Sequence, residues 1–120
     1  MSAADRVRLR HMVDAAAEAM AFAKGHVRED LSRNRMLLHS LVRDIEIIGE
    51  AGSQISEEFR SEHPEIPWAM IRGMRNRLIH AYWDVNIALV WSTVMEDLRD
   101  LRRILETLLT EAQDDGGGRP

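Results

Sequence analysis

Apolar residues recur at spacings of three and four along nearly the whole chain, the period of a helix that buries one face. From about Asp5 to Lys24 the stripe is Val7, Leu9, Met12, Val13, Ala16, Ala19, Met20 and Ala23, and Gly25 supplies a stop. A second, long helix is expected from about Glu29 to Phe59, on Met36, Leu37, Val42, Ile45, Ile48, Ile55 and Phe59. Gly49, Gly52 and Ser53 weaken its middle or let a neighbouring helix come close. His63-Pro64-Glu65-Ile66-Pro67 ends that helix, because proline disfavours helical geometry in the residue before it. Pro67 then reads as the first-turn proline of a third helix that buries Trp68, Ile71, Met74, Leu78 and Ala81. Asp84 or Asn86 can cap a fourth, running to about Ala112 on Ile87, Val90, Trp91, Val94, Leu98, Leu101, Leu105 and Leu108. No alternating β pattern and no internal repeat is present. The expected fold is an all-α four-helix bundle over residues 1–113, with a disordered, flexible tail at 114–120 that is polar and glycine-rich.

Composition narrows the picture. The chain has 120 residues, the size of one domain, with 45% hydrophobic and 30% charged residues. It has no cysteine, which excludes disulfides and thiolate zinc sites and suits the cytoplasm. There is no apolar run of about 18 residues to span a membrane, and the N-terminus lacks the apolar centre of a secretory signal. A cytoplasmic location is therefore expected. The net charge of −4 argues against a general nucleic-acid binder, yet the charge is unevenly spread. Ile66 to Trp83 contains no Asp or Glu but carries Arg72, Arg75 and Arg77, and a second acid-free stretch, Leu31 to Val42, carries Arg33 and Arg35. Lys24 is the only lysine, and arginine's planar fork suits phosphate oxygens better than lysine's point charge.

Candidate chemistry concentrates in Gly73-Met74-Arg75-Asn76-Arg77-Leu78-Ile79-His80-Ala81-Tyr82-Trp83. On a continuous helix Arg72, Asn76 and His80 would form one polar stripe, with Arg75 flanking it and Tyr82 beneath Arg75. Metal-free RNA cleavage needs a base for the 2′-hydroxyl, an acid for the leaving oxygen and a cation for the charged transition state. Histidine titrates near neutrality; arginine offers charge and paired donors to phosphate; asparagine can orient either group. One histidine serves both ends of the reaction poorly, which makes a second copy from a dimer partner attractive. A histidine near a helix end is, however, more often a cap than a catalyst, so spacing alone is a weak lead. The remaining histidines, His11, His26, His39 and His63, are dispersed and show no metal-ligand spacing, and no metal or cofactor is expected. Glu46 and Glu50 share a helix face and read as a solvated or ion-paired couple, ahead of a dimer-facing or cleft-facing acidic pair, while Trp68 and Trp91 read as core or interface anchors.

R-N-R-L-I-H-A-Y resembles the R-x-x-x-x-H-x-Y signature of HepT-like proteins, a branch of the HEPN superfamily. Ile47-Ile48-Gly49-Glu50-Ala51 is similar to that family's I-G-E-A segment. His63 to Trp68 with Ile71 to Asn76 is similar to its H-P-x-I-P-W and G-M-R-N stretch. Val85 to Trp91 also fits, so the resemblance covers the chain apart from its tail. It implies a HEPN-type bundle acting as the toxin of a type VII-like two-gene system, a metal-independent endoribonuclease cutting transfer or messenger RNA. It further implies a homodimer with both motifs on a shared cleft, catalysis by Arg75 and His80, and support from Asn76; Arg72, one turn before Asn76 on the polar stripe, is a further supporting candidate. Tyr82 would be adenylylated by a minimal nucleotidyltransferase antitoxin. The competing expectation is a non-catalytic helical accessory or substrate-binding partner of a nucleotidyltransferase.

Overall fold

A computed structural model describes residues 1–81 and 84–117, and the side chains of all of these except 79–81 and 112–117. Helix α1 (Ala3–Ala23) packs against α3 (Arg35–Ser53) and α7 (Leu98–Gly117), and α3 packs in turn against α5 (Trp68–Leu78). The apolar stripes meet in one core containing Leu9, Met12, Leu41, Ile45, Ile48, Ile71, Met74, Leu98 and Leu105. Helix α1 stops where expected, and Gly25 adopts φ +82°, a backbone region open to glycine at little cost. Two residues assigned to apolar stripes, Val7 and Met36, are exposed.

The single long helix expected over Glu29–Phe59 is three pieces: α2 (Asp30–Arg33), α3 and α4 (Glu57–Glu62). Both breaks have local causes. Asn34 is extended, and its side chain accepts a 3.0 Å bond from the Leu37 amide, so it caps α3. Ser56 caps α4 by accepting from the Phe59 amide at 3.2 Å. Ser56 is held in turn by the buried Asp5, whose carboxylate accepts from its amide at 2.9 Å and its hydroxyl at 2.6 Å. Burial pushes the Asp5 carboxyl up, but the bonds from Ser56 and Ser2 and the charge of Arg8 bring it below the usual range. The H-P-E-I-P-W segment then folds back: Ile66 and Trp68 are buried, Trp68 meets Phe59 edge-on, and its indole N–H donates to the His63 carbonyl at 3.0 Å. That plug fixes where α5 begins.

Helix α5 ends at Leu78, three residues earlier than its apolar stripe suggests. Strand β1 (Ile79–Ala81) follows and pairs antiparallel with β2 (Asp84–Val85), with Ile79 opposite Val85 and Ala81 opposite Asp84. The Asn86 amide closes the turn on the Leu78 carbonyl at 2.8 Å, using an acceptor free at the helix end. Ile79 and Val85, which face each other in this pair, are β-branched and accept extended geometry readily, which overrides the expected helix at 79–81.

Asn86 caps α6 (Ile87–Ser92), its side chain accepting from the Leu89 amide at 3.0 Å. A π-helical turn at Thr93–Asp97 joins α6 to α7. Val90, Val94 and Leu98 are buried at successive spacings of four, which would drift around a regular helix by about 40° each time. The wider turn absorbs that drift. Farther along, Leu101, Leu105 and Leu109 are buried, and Leu108 is only partly covered. Helix α7 continues to Gly117, and 118–120 lie outside the described residues.

Candidate active site

Two glycines set the distance between α3 and α5. A Cβ added at Gly52 would stand 2.5 Å from Ile71 Cγ2, and one at Gly49 would stand 3.3 Å from the Ile71 carbonyl oxygen. The expected packing role of both glycines is therefore met. This close approach brings Arg75, one turn beyond Ile71, beside Glu46, just under one turn before Gly49. Arg75 Nε lies 3.7 Å from Glu46 Oε1, and Arg43 Nη1 lies 3.6 Å from both Glu46 Oε2 and Glu50 Oε1. Glu46 is thus shared by two arginines from two helices. Its side chain is 24% exposed, while that of Arg75 is 53% exposed, so the carboxylate is sheltered and the guanidinium remains open to a ligand.

The rest of the expected stripe divides. Asn76 is exposed on α5 next to Arg75. Arg72 is exposed toward α4, in a depression shared with Glu57, Arg60, Ser61 and Trp68. His80 cannot continue the line of Arg72 and Asn76, because its backbone is in β1. Its side chain lies outside what is described, and Tyr82 lies outside the described residues altogether. The segment around His80 is tethered at both ends, by buried Leu78 before it and by the Asn86 amide after it. Arg77 stands close enough to Asp97 of the π turn to favour its ionised form, opposing the burial that raises that carboxyl.

The hairpin also meets a part of the chain that no motif flagged. Val85 and Ile87 share a groove of about 410 Å³ with Ser32, Arg35, Leu38 and His39, from the second acid-free stretch. The acid-free charge pattern already marks Arg35, and His39 sits one turn beyond it on α3. Nothing in the sequence indicates that Val85 of β2 lines the same groove.

Among the described residues, no group of three His, Asp or Glu side chains could hold a metal ion, and no helix is long and apolar enough to cross a membrane.

The exposed arginines of α5, followed in β1 by a histidine, make this region a candidate for phosphodiester chemistry. Comparison with known proteins supplies the family. The HepT-like family, described as ribonuclease HepT-like, matches residues 12–108, and the chain belongs to it. It is 35% identical over 101 residues to "Putative RNase TTE0752" of Caldanaerobacter subterraneus subsp. tengcongensis, covering 84% of this chain and 90% of that one. It is 41% identical over 80 residues to "Probable ribonuclease HepT" of Thermococcus cleftensis, covering 67% of this chain and 73% of that one. No solved structure matches. The all-α HEPN-type fold and the HepT-like resemblance read from the sequence both stand, and a ribonuclease of this type is the activity that the relatives support.

Proposed function

We propose that this protein is the ribonuclease toxin of a two-gene toxin–antitoxin system, cutting RNA without a metal through Arg75 and His80. The observation that carries the reading is Arg75 itself. It is half-exposed, oriented by Glu46, and five residues before a histidine on a turn tethered at both ends. In this mechanism the Arg75 guanidinium binds the scissile phosphate and neutralises the charge that develops on it. The His80 imidazole takes the proton of the 2′-hydroxyl, whose oxygen attacks the phosphorus as the leaving 5′-oxygen is protonated, so the cut strand ends in a 2′,3′-cyclic phosphate. Asn76 adds a hydrogen bond beside Arg75. A homodimer places two such sets across one cleft, so that one histidine acts as base and its twin as acid. The substrate class is transfer or messenger RNA, and the silencing partner is a minimal nucleotidyltransferase that adenylylates Tyr82. A phosphate on that tyrosine would compete for the cation that the RNA needs.

The test is cleavage of RNA by purified protein in excess chelator, compared with His80→Ala. Retained activity in chelator with cyclic phosphate ends supports the mechanism. Activity that disappears in chelator and returns with a divalent ion overturns metal independence, and an active His80→Ala protein overturns the site. Light scattering at tens of micromolar (roughly, for a modest interface) should report a dimer. Mass spectrometry after incubation with the partner transferase and ATP should find adenylyl units on the Tyr82 peptide and none on Tyr82→Phe.

A further inference from the structure

The groove beside the hairpin joins the two acid-free stretches of the sequence. Strand β2 supplies Val85, which pairs through the backbone with Ile79, the residue immediately before His80. Across the groove stand Arg35 and His39, with Leu38 and Ile87 as apolar lining and Ser32 as a further polar group. Arg35 has no acidic partner within ion-pair distance among the described residues, and neither does Arg33 close by. On α3, Arg35, His39 and Glu46 fall within about 40° of one another around the helix axis. One face of α3 therefore runs from the groove to the carboxylate that orients Arg75, over roughly 16 Å of helix.

We propose that this groove is a substrate subsite, holding a single-stranded nucleotide a short distance along the RNA from the phosphate at Arg75. The inference rests on the ribonuclease reading above. Arg35 meets a backbone phosphate, with no carboxylate in the groove to compete for it. His39 offers a ring to stack on and an N–H for a base edge, while Leu38, Val85 and Ile87 take the apolar face of the base. Unpaired bases bound against histidine or arginine planes and small apolar patches are the usual mode of single-strand RNA recognition. Among the described residues the groove's lining holds one arginine and an apolar wall, which suit one base and its phosphate better than a duplex, so an unpaired loop or tail is the ligand.

The experiment measures binding separately from cutting. A fluorescein-labelled single-stranded RNA is titrated in chelator into the full-length protein carrying His80→Ala, and into the same protein carrying a second change. Adding Arg35→Ala should weaken binding about fivefold to tenfold and reduce the salt dependence of log Kd by about one counterion. His39→Gln should weaken binding less and leave the salt dependence alone. Arg103→Ala, a control on the exposed face of α7, should match the parent. A Kd unchanged by Arg35→Ala, an equal loss in the Arg103 control, or no measurable binding by the parent overturns the subsite. Failure of the catalytic reading would look different: His80→Ala would still cut, whatever Arg35 does. In the otherwise unchanged enzyme, Arg35→Ala should raise KM and leave kcat within about twofold. A fall in kcat at constant KM would move Arg35 out of substrate binding.

Discussion

Asp44 and Glu46 are two residues apart on α3 and face opposite ways into opposite electrostatics. Asp44 turns toward α1, where its neighbour is another carboxylate, Glu18. It is only 1% exposed, and its Oδ2 has no hydrogen-bond partner among the described residues. Burial first, and Glu18 second, push its carboxyl up to about 7, with Arg43 pulling weakly the other way. Glu46 turns toward α5 and meets cations, Arg75 from the facing helix and Arg43 from its own. The first seam buries a carboxyl that is best neutral. The second half-shelters one that holds an arginine open to solvent. One helix thus separates a buried carboxyl beside another acid from a half-sheltered one paired with two arginines. Unusual burial of an acid does not by itself mark the chemistry.

The comparison breaks hardest at Arg75. Arg75→Ala should lower RNA cleavage by at least about a hundredfold, the usual loss when one charge-stabilising donor is removed. Its helical spectrum should be intact and its stability reduced by about 1 kcal/mol or less. Residual cleavage close to that of the parent protein, measured on the same RNA, would remove the cation from the mechanism. Next in size is the contact that sets the α3–α5 distance. Gly52→Ala drives a methyl into Ile71 Cγ2 and should cost about 1–3 kcal/mol, read as a lower Tm and urea midpoint. It should also reduce activity at temperatures where the protein is still folded, because Glu46 and Arg75 are pushed apart. Full activity together with lost stability would show that the pair does not depend on that spacing.

The four buried stripes were legible because their spacing is periodic and their residues are apolar, and Gly25, Gly52 and Asn86 do what their residue types suggest. The breaks in the second helix were less so. They are set by single caps, Asn34 and Ser56, and Ser56 depends on Asp5, fifty-one residues away. The hairpin was misread because Leu78-Ile79-His80-Ala81 satisfies a helical stripe as well as a strand, and pairing with Val85 decides between them. Arg75 could be singled out from charge and motif, but its carboxylate partner could not be told from an ordinary surface acid. The groove at Arg35 and His39 needs Val85 and Ile87 brought beside α3, a tertiary fact that no local pattern contains.

On the α1 side the expected effect is on pH dependence. The Asp44 carboxyl is raised above its unfolded value, so the folded state holds a proton that the unfolded chain releases from about pH 4 upward. Its contribution to stability is therefore greatest in acid and is lost as pH rises through about 7. Asp44→Asn cannot release that proton. Relative to the parent it should gain stability between pH 5 and 8, on the order of 1 kcal/mol at the upper end, with RNA cleavage unaltered. Parallel stability curves for the two proteins across that range would mean that Asp44 does not titrate there.

The smallest and most discriminating change is Glu46→Gln. It keeps the size and much of the hydrogen-bonding capacity of the side chain but removes the charge that both arginines share. A half-exposed ion pair contributes little to stability, so the Tm should stay within a degree or two, equivalent to a few tenths of a kcal/mol. The site responds differently, because Arg75 is pre-oriented only while something fixes its guanidinium against the flexibility of its own chain. Cleavage should fall about threefold to tenfold, chiefly in kcat, and KM should stay level or drop slightly as a competing carboxylate disappears. Glu46→Asp, with the charge restored one bond shorter, should recover part of the loss. If Gln and Asp are equally impaired, side-chain length matters and charge does not. If neither is impaired, Arg75 finds the phosphate without help, and the two faces of α3 differ in electrostatics but not in function.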